Sequence, residues 1–347
     1  MVNRISHLVR GPAAVVAVLC LTACAAEEAE FGGATMGTTW SVKVVDSPVP
    51  PERLRASLAA TLEQVNTLMS TYDPDSELMR FNAAPMRTPF VISTQTGEVI
   101  RLAQTIARAT EGAFDLTVGP LVNLWGFGPR QQPVEVPTPD AIADARARVG
   151  FGRLHLRDGT LLKDAPLFVD LSAIAKGHAV DELASVLAEA GVGRFLVEVG
   201  GELRAAGLNA SGRPWRVAIE APKADTREIY RVVELRGMGL ATSGDYRNYF
   251  ETDGRRYSHM IDPRTGAPIA HRVASVSVLH TSVAEADGWA TALNVLGLED
   301  GMMIATREGL RAMFIIRDGD AFAAHASPAF EAYVRQSDQR AGANRSD

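Results

Sequence analysis

Three Asp-Gly pairs, each between two runs of alternating apolar and polar residues, constrain the fold of this chain more than any other feature. They are Asp158-Gly159, Asp253-Gly254 and Asp318-Gly319. Asp-Gly is typical of a two-residue β-hairpin, because both central positions of such a turn need positive φ. Strands joined in this way are antiparallel neighbours. The sequence therefore predicts a mixed α+β fold with antiparallel sheets and packed helices, rather than a doubly wound parallel sheet.

Apolar spacing places helices and further strands between these hairpins. Pro51–Met69 carries four leucines and a valine at helical spacing, whereas Thr38–Val45 alternates as a strand does. A Thr138-Pro139 pair predicts a helix start, with Gly150 as the C-cap of that helix. The remaining predicted helices cover 98–109, 173–189 and 284–296, and the remaining strands cover 194–199 and Val273–His280.

The N-terminal residues predict export and attachment to a lipid. Arg4 and Arg10 make a basic region that precedes the short apolar stretch Pro12–Leu19, which is too brief to span a bilayer, because that takes about 20 apolar residues. The stretch ends in Leu21-Thr22-Ala23-Cys24, a pattern typical of a bacterial lipobox, in which the cysteine thiol is acylated. An ordinary signal peptide with a chance cysteine is the alternative. We expect a lipoprotein signal peptide over 1–23, a tether over 24–30, a main domain over 31–335 and a polar C-terminal tail over 336–347.

Charge, cysteine content and missing motifs exclude several functional classes. The formal net charge of −6 at pH 7 argues against a nucleic-acid partner. The second cysteine, Cys20, lies in the predicted signal peptide, so the processed chain has no thiol for a disulfide, a zinc site or a nucleophile. The sequence also lacks the P-loop, dinucleotide-binding, zinc-protease and serine-hydrolase motifs.

A segment near the end of the chain combines an acid and a hydroxyl at helical spacing. Asp287 and Thr291 lie four residues apart and therefore project from the same face of the predicted helix. A carboxylate and a hydroxyl among small residues suit a hard cation with oxygen ligands, such as Mg²⁺. Alternatively, Asp287 bonds a neighbouring backbone group and Thr291 bonds its own i−4 carbonyl. The spacing alone leaves both interpretations open.

A second segment places an acid at the junction of a strand and a helix. The apolar run that ends at Asp170 passes directly into a predicted helix, and such a turn offers free backbone N–H groups to phosphate or hydroxyl oxygens. Asp170 is therefore either a ligand contact or a helix N-cap. Lys176 is either a phosphate contact or a solvated charge on the helix.

Two further segments carry weaker indications of a site. His259 lies on a strand that runs into an Asp-Pro-x-x-Gly turn, where it could be a general base or a structural histidine. The glycine-rich loop 112–120, followed by Leu124-Trp125-Gly126-Phe127-Gly128, could form the wall of a pocket for a planar ring. A loop packed on the core has the same composition.

Together these segments resemble the ApbE family, the FAD:protein FMN transferases, along nearly the whole predicted mature chain. The resemblance implies a two-lobed α+β architecture that is similar to the T-fold. The matching stretches, in chain order, are Met36-Gly37-Thr38-Thr39, Ser70-Thr71-Tyr72, Ser76-Glu77-Leu78, Phe81-Asn82, the loop 112–120, residues 170–177, Gly200-Gly201-Glu202, residues 242–246, residues 259–266 and residues 286–291.

The resemblance also implies which residues bind substrate and metal. The Mg²⁺ ligands would be Asp287, Thr291 and the backbone carbonyl of Ala173, so position 173 needs no polar side chain. The residues that would hold FAD are Met36, Tyr72, Ala113, Phe114, Asp115, Asp170, Lys176 and Ile261.

The implied activity is Mg²⁺-dependent transfer of FMN from FAD to a Thr or Ser hydroxyl of an acceptor protein, with release of AMP. His259 is our candidate for the group that takes the hydroxyl proton. The acceptors would be extracytoplasmic subunits of membrane redox complexes, met by a lipid-anchored enzyme on the periplasmic side of a bacterial membrane. The alternatives are a FAD pyrophosphatase giving FMN and AMP, a flavin- or solute-binding lipoprotein without turnover, and a structural lipoprotein that has lost activity.

Overall fold

The computed structural model describes residues 26–129, 135–223, 226–246, 248–319 and 321–343. The predicted signal peptide and Cys24 lie outside these residues. The strands are β1 (Glu28–Thr35), β2 (Thr38–Val45), β3 (Phe90–Val91), β4 (Leu154–Arg157), β5 (Thr160–Lys163), β6 (Phe195–Val199), β7 (Glu202–Ala206), β8 (Trp215–Glu220), β9 (Ile229–Leu235), β10 (Gly239–Gly244), β11 (Tyr249–Thr252), β12 (Arg255–Ser258), β13 (Ile261–Asp262), β14 (Ala267–Pro268), β15 (Val273–His280), β16 (Arg311–Asp318) and β17 (Ala321–Ala326).

The helices surround these strands. They are α1 (Pro51–Met69), α2 (Glu77–Ala83), α3 (Thr94–Ala109), α4 (Gly119–Leu124), α5 (Pro139–Arg146), α6 (Ala175–Glu189), α7 (Val283–Leu296), α8 (Leu298–Arg307) and α9 (Pro328–Ala343), with a 3₁₀ turn at Phe151–Arg153. Among the described residues, none of these helices combines the length and the apolar character needed to cross a bilayer.

One eight-stranded sheet organises the molecule. Its strand order is β1-β2-β6-β7-β10-β15-β16-β17, and every neighbouring pair is antiparallel. The sheet is buried on both faces, because successive residues of its central strands belong to different hydrophobic clusters. Ala241 and Val278 pack with α1, α3, α6 and α7 on one face. Leu240 and Leu279 pack with the β8–β9 hairpin and α9 on the other. The predicted α+β class with antiparallel sheets is confirmed.

A smaller lobe stands beside the main sheet. It is built from α4, α5 and the short hairpins β11–β12 and β13–β14, around a cluster that contains Leu121, Trp125 and Ile261. The indole Nε1 of Trp125 donates a hydrogen bond of 2.8 Å to the Gly266 carbonyl, which fixes the Asp-Pro-x-x-Gly turn to α4. This lobe and the helix-covered face of the main sheet enclose the candidate site.

The turn chemistry of the sequence predicted the hairpins correctly. Asp158 and Gly159 have φ of 47° and 70°, and Asp253 and Gly254 have φ of 53° and 71°, as a two-residue turn requires. Pairing of β16 with β17 reaches the Asp318–Ala321 pair, which confirms the third hairpin. The predicted bounds of α1, β2 and β15 are also those of the structure.

Helix ends were predicted less well, because side chains outside the apolar pattern determine them. Helix α3 begins at Thr94 rather than 98, since Ser93 caps it by accepting a hydrogen bond from the Thr96 N–H. Helix α6 begins at Ala175 rather than 173. Gly150 is not a C-cap, because α5 already ends at Arg146.

The two predicted terminal segments are more ordered than expected. The predicted tether over 24–30 contains the start of β1, which pairs with β2 from the Glu28–Val45 pair onward. The predicted polar tail over 336–347 is helical as far as 343, because α9 is anchored by buried Phe330 and by Tyr333 on the second cluster. Backbone pairing and this anchor extend structure into segments whose own composition is polar.

Helices α6 and α7 meet at Gly177, where a side chain has no room. A Cβ atom at Gly177 would lie 2.3 Å from the Val283 carbonyl oxygen and 2.8 Å from the Cβ of Asp287. Neither atom belongs to the end of a flexible side chain, so the helices would have to separate. Glycine is therefore required at this crossing.

We expect Gly177→Ala to lower the free energy of unfolding by about 1–3 kcal/mol, because it overpacks this crossing. Urea unfolding followed by circular dichroism measures the change. Gly193→Ala is the matched control, because a Cβ atom at Gly193 meets nothing within 4 Å. Its stability should not fall by more than about 0.5 kcal/mol. Equal stability of Gly177→Ala and wild type would show that the crossing tolerates a methyl group.

Candidate active site

A cavity of about 390 Å³ lies between the smaller lobe and helices α6 and α7. Its volume is in the range of small-molecule sites. The sequence-predicted site residues that line it are Tyr72, Ala113, Phe114, Asp115, Asp170, Ala173, Lys176, His259, Ile261, Asp287 and Thr291. Residues that are far apart in the sequence thus converge on one cavity, as a single active site requires.

Among the described residues that the sequence predicts to bind substrate or metal, only Met36 does not line this cavity. It occupies the β1–β2 turn with a φ of 49°. Thr38, at the start of β2, lies close to Gly200 of the cavity wall, where an added Cβ atom would be 2.8 Å from the Thr38 methyl carbon. The turn is therefore near the cavity edge, and the contact of Met36 with FAD stays a prediction.

Asp287 and Thr291 lie one turn apart on α7, as their spacing predicted. Asp287 is 3% exposed, and its Oδ2 accepts a hydrogen bond of 3.0 Å from the backbone N–H of Gly177 on α6. The structural alternative for Asp287 is thus partly realised, since the carboxylate does bind a backbone group. For Thr291 it is not: within the described residues its hydroxyl has no hydrogen-bond partner, whereas the Thr306 hydroxyl bonds the Met302 carbonyl at 2.8 Å.

The same hydrogen bond frees the carbonyl of Ala173. In a regular helix the N–H of Gly177 would donate to the carbonyl four residues before it. Here that N–H donates to Asp287, and none of the described residues donates a hydrogen bond to the Ala173 carbonyl. The next bond of the series, from the His178 N–H to the Ile174 carbonyl at 3.0 Å, is present. Ala173, whose carbonyl is thus left unpaired among the described residues, lines the cavity with Asp287 and Thr291.

These groups fit a magnesium site by their chemistry. A carboxylate, a hydroxyl and an unpaired carbonyl supply only oxygen donors, the type that Mg²⁺ prefers. No cluster of three or more His, Cys, Asp or Glu side chains placed to hold a metal occurs in the described part of the chain. One carboxylate suits Mg²⁺, which keeps several waters and is completed by substrate phosphates.

Lys176 lies between two buried carboxylates. Its Nζ is 3.7 Å from Oε1 of Glu202 and 3.9 Å from Oδ2 of Asp287. Burial lowers the pKa of Lys176, but the Asp287 and Glu202 charges outweigh burial and hold it above its ordinary value. Burial raises the pKa of Asp287, and the ammonium of Lys176 opposes the rise. Burial likewise raises the pKa of Glu202 to about 8 despite the neighbouring ammonium.

Glu202 is a cavity residue to which the sequence alone assigned no role. It is 2% exposed and stands at the start of β7, directly after the Gly200-Gly201 turn. Gly200-Gly201-Glu202 was predicted only as one of the stretches that match the ApbE family. The available signal was the acid that follows the two glycines, because an acidic first residue on a strand that enters the core must be paired or functional.

His259 is held in one tautomer by a backbone carbonyl. Its Nδ1 lies 2.9 Å from the carbonyl oxygen of Asn248, which can only accept a hydrogen bond, so Nδ1 carries the proton. Burial lowers the pKa of His259, while the bond to Asn248 opposes that change. The ring is therefore neutral near pH 7, and its Nε2 lone pair is available to a substrate proton.

Asp115 organises its own loop as well as lining the cavity. Its Oδ1 accepts hydrogen bonds from the N–H and hydroxyl of Thr117, at 2.8 and 2.6 Å, and its Oδ2 accepts one of 3.0 Å from the Phe151 N–H. Burial raises the pKa of Asp115, and these bonds oppose the rise. The carboxylate thus fixes the glycine-rich loop against the 3₁₀ turn at Phe151–Arg153.

Asp170 does not cap helix α6. The helix begins at Ala175 with Ile174 at the N-cap, and the carboxylate of Asp170 accepts a hydrogen bond of 2.8 Å from the Ser172 N–H. The N-cap alternative is therefore wrong, because a turn of four residues separates Asp170 from the helix. Asp170 remains on the cavity wall, where a ligand contact is still open to it.

An aromatic stack supports the cavity on the side of the smaller lobe. Trp125 stacks on Tyr257 at 5.6 Å between ring centroids, and Tyr257 stacks on Phe250 at 5.0 Å. Phe127, which lines the cavity, meets Phe250 at 5.6 Å and the ring of His259 edge-on at 6.2 Å. Trp125 packs in the core and Phe127 lines the cavity, and that this wall accepts a planar ring stays a prediction. Tyr72 stands 70% exposed at the cavity, where its ring is open to a ligand.

The raised pKa of Glu202 predicts a pH dependence of stability. The folded protein retains the Glu202 proton up to about pH 8, whereas the unfolded chain loses it near 4.5. Between these values the folded state binds more protons, so its stability falls as pH rises. Glu202→Gln should remove this component of the pH dependence. When the thermal unfolding temperature is measured at a series of pH values in the presence of a chelator, the variant should show a smaller slope than wild type. Glu189→Gln, a charge-matched change of an exposed acid on α6, should retain the wild-type slope. Equal slopes for all three proteins would contradict the assignment.

Comparison with known proteins identifies the family to which this chain belongs. The sequence model of the ApbE family matches residues 36–314. A FAD:protein FMN transferase of Vibrio cholerae is 47% identical over 326 residues, which cover 92% of this chain and 98% of that protein. One curated relative of Escherichia coli with the same name is 42% identical over 317 residues, covering 89% of this chain and 90% of that protein.

Solved structures share this fold over most of the chain. The flavin transferase ApbE from Vibrio cholerae superposes with a TM-score of 0.83 at 47% identity, and the match covers 88% of this chain and 99% of that one. The apo flavinyl transferase ApbE of Pseudomonas stutzeri gives a TM-score of 0.83 at 43% identity, covering 89% and 97%. The extent of these matches, together with the family match over 36–314, establishes that this chain belongs to the ApbE family.

Proposed function

We propose that this protein transfers FMN from FAD to a Thr or Ser hydroxyl of an acceptor protein, in a Mg²⁺-dependent reaction that releases AMP. Relatives at 42–47% identity named FAD:protein FMN transferase support flavin transfer. The observation that supports Mg²⁺ dependence is a single hydrogen bond between α6 and α7. Diversion of the Gly177 N–H to Asp287 leaves three oxygen donors, from Ala173, Asp287 and Thr291, on the wall of one cavity.

The reaction exchanges one phosphorus–oxygen bond for another. The acceptor hydroxyl oxygen bonds to the FMN-side phosphorus of FAD, and the bond from that phosphorus to the bridging oxygen breaks. AMP leaves with the bridging oxygen and the electron pair, and the hydroxyl proton passes to a base. Such phosphoryl chemistry depends mainly on positioning and on neutralising phosphate charge. A bound Mg²⁺ would supply that neutralisation and stabilise the leaving group.

The residues of the chain supply the other requirements. Lys176 provides a permanent positive charge in the cavity, since its neighbours keep it protonated. His259 presents a neutral Nε2 to the acceptor hydroxyl, because Asn248 holds the proton on Nδ1. The bonded loop around Asp115 and the aromatic Phe127 form walls that could orient the flavin part of FAD.

Two alternatives use the same cavity. A FAD pyrophosphatase would admit water in place of the acceptor hydroxyl and release free FMN and AMP. A flavin-binding lipoprotein would hold FAD without turnover, and its affinity would not change with a chelator. Incubation with FAD and Mg²⁺, with and without an acceptor, separates these possibilities, because only transfer leaves FMN covalently on protein. The alternative of a relic without metal ligands is disfavoured by the presence of Asp287 and Thr291.

We further propose that the enzyme acts outside the cytoplasm as a lipoprotein anchored through Cys24. The Leu21-Thr22-Ala23-Cys24 pattern supports acylation, and the acceptors would be extracytoplasmic flavin-carrying subunits of membrane redox complexes in the periplasm. Mass spectrometry of the membrane-extracted protein tests the anchor. A diacylated N-terminal Cys24 is the expected result.

Loss of the Asp287 carboxylate should abolish Mg²⁺-dependent transfer. We expect Asp287→Ala to reduce transfer by more than about a hundredfold, since a buried charge on the metal is removed, while the fold is retained. Asp287→Asn should also be inactive, although it keeps an acceptor for the Gly177 N–H. In-gel flavin fluorescence of the acceptor, after incubation with enzyme, FAD and Mg²⁺, measures transfer. Asp300→Asn, which removes an exposed acidic side chain, is the charge-matched control. Labelling of the acceptor at the wild-type level by Asp287→Ala would overturn the metal assignment.

Removal of the proposed base should slow chemistry without preventing binding. His259→Asn retains a donor for the Asn248 carbonyl but no base, so kcat should fall about 100- to 10,000-fold with FAD affinity nearly unchanged. Because the pKa of His259 is lowered from 6.5, the wild-type rate should decline only below that pH, where Nε2 becomes protonated. The variant should lack this acidic limb. Unchanged kcat in His259→Asn would assign the proton transfer elsewhere.

A further inference from the structure

The ammonium of Lys176 is shared almost equally between Asp287 and Glu202. The two N···O distances are 3.9 and 3.7 Å, and both carboxylates are nearly fully buried. Glu202 has a second oxygen, Oε2, that is buried and has no hydrogen-bond partner among the described residues. Glu202 therefore has unused capacity to accept a donor at the cavity.

A divalent cation at Asp287 would have to share that carboxylate with the ammonium. Like charges this close repel strongly in a site of low dielectric, so the ammonium is displaced from the metal ligand. Because Nζ already lies 3.7 Å from Glu202, a small side-chain rotation transfers it fully to that carboxylate. The unpaired Oε2 can then accept an N–H of the same ammonium.

We propose that Glu202 is a positioning residue that holds the Lys176 ammonium away from Asp287 and thereby sets the affinity of the site for a divalent cation. This inference rests on the proposed metal site of Asp287, Thr291 and Ala173. Glu202 acts through Lys176 and does not itself coordinate the cation. Lys176 thus remains charged and inside the cavity, where it can face substrate phosphate, without competing for the metal ligand.

Mn²⁺ titration of the full-length protein without flavin tests this role, with binding followed by electron paramagnetic resonance. Glu202→Gln should weaken Mn²⁺ binding by about 10- to 100-fold, the effect typical of residues that orient metal ligands. Glu202→Asp, which keeps the charge but withdraws it from Lys176, should weaken binding less. Glu189→Gln, at the far end of α6, carries the same charge change away from Lys176 and should bind as wild type does.

A double-variant comparison separates this role from two others. One is direct coordination of the cation by Glu202, and the other is a nonspecific attraction of the cation by the negative charge of Glu202. Lys176→Met should bind Mn²⁺ more tightly than wild type, because the competitor is removed. In that background Glu202→Gln should change the affinity by less than about threefold, since Glu202 then has no ammonium to hold. Equal weakening by Glu202→Gln in both backgrounds would overturn the proposal, as would wild-type affinity in Glu202→Gln.

The readouts distinguish failure of this inference from failure of the proposed function. If the wild type binds no Mn²⁺, the metal site itself is wrong and the role of Glu202 is refuted with it. If the wild type binds Mn²⁺ and only the Glu202 effects are missing, the metal site stands and the positioning role is refuted. Thermal unfolding with a chelator verifies that each variant is folded; should Glu202→Gln not fold, the Glu202→Asp and Lys176→Met measurements decide.

Discussion

The hydrogen bond from the Gly177 N–H to the Asp287 carboxylate is the interaction on which the site depends. It joins the start of α6 to the middle of α7 at a crossing that admits no side chain at position 177. It also removes the donor that would otherwise occupy the Ala173 carbonyl. One bond therefore fixes the relative position of two helices, holds the carboxylate in place and exposes a carbonyl. Helix packing and a cation site are consequences of the same contact.

The charged groups around this contact are buried, which determines their chemistry. Two carboxyl groups at 2–3% exposure lie beside one ammonium, so a single positive charge serves two buried acids. Isolated buried charges are costly unless they are paired or bind a cation. The cluster of Lys176, Glu202 and Asp287 is accordingly poor as a purely structural salt bridge and well suited to accept positive charge. The perturbed pKa of each group is the expected signature of a functional site.

The sequence predicted those parts of the fold and site that follow from local pattern. Asp-Gly turns identified the hairpins, and the four-residue spacing of Asp287 and Thr291 placed both on one face of α7, because turn chemistry and helical period are local properties. Glu202 was assigned no role, because its importance comes from a tertiary neighbour, Lys176. The start of α6 was displaced by two residues for a related reason: a partner on another helix takes the Gly177 N–H. The family resemblance supplied Ala173, which no side-chain property could have revealed.

The same ammonium also connects the cation site to the proposed base. Burial is the main cause of the lowered pKa of His259, and the positive charge of Lys176 adds to it, while Asn248 and Asp245 act in the opposite direction. A cation bound at Asp287 would add positive charge to the same cavity and lower the pKa of His259 further. The base would then remain unprotonated when substrate phosphate is held nearby. Binding of a cation at Asp287 is thus electrostatically coupled to the protonation state of His259, although the two residues belong to different lobes of the molecule.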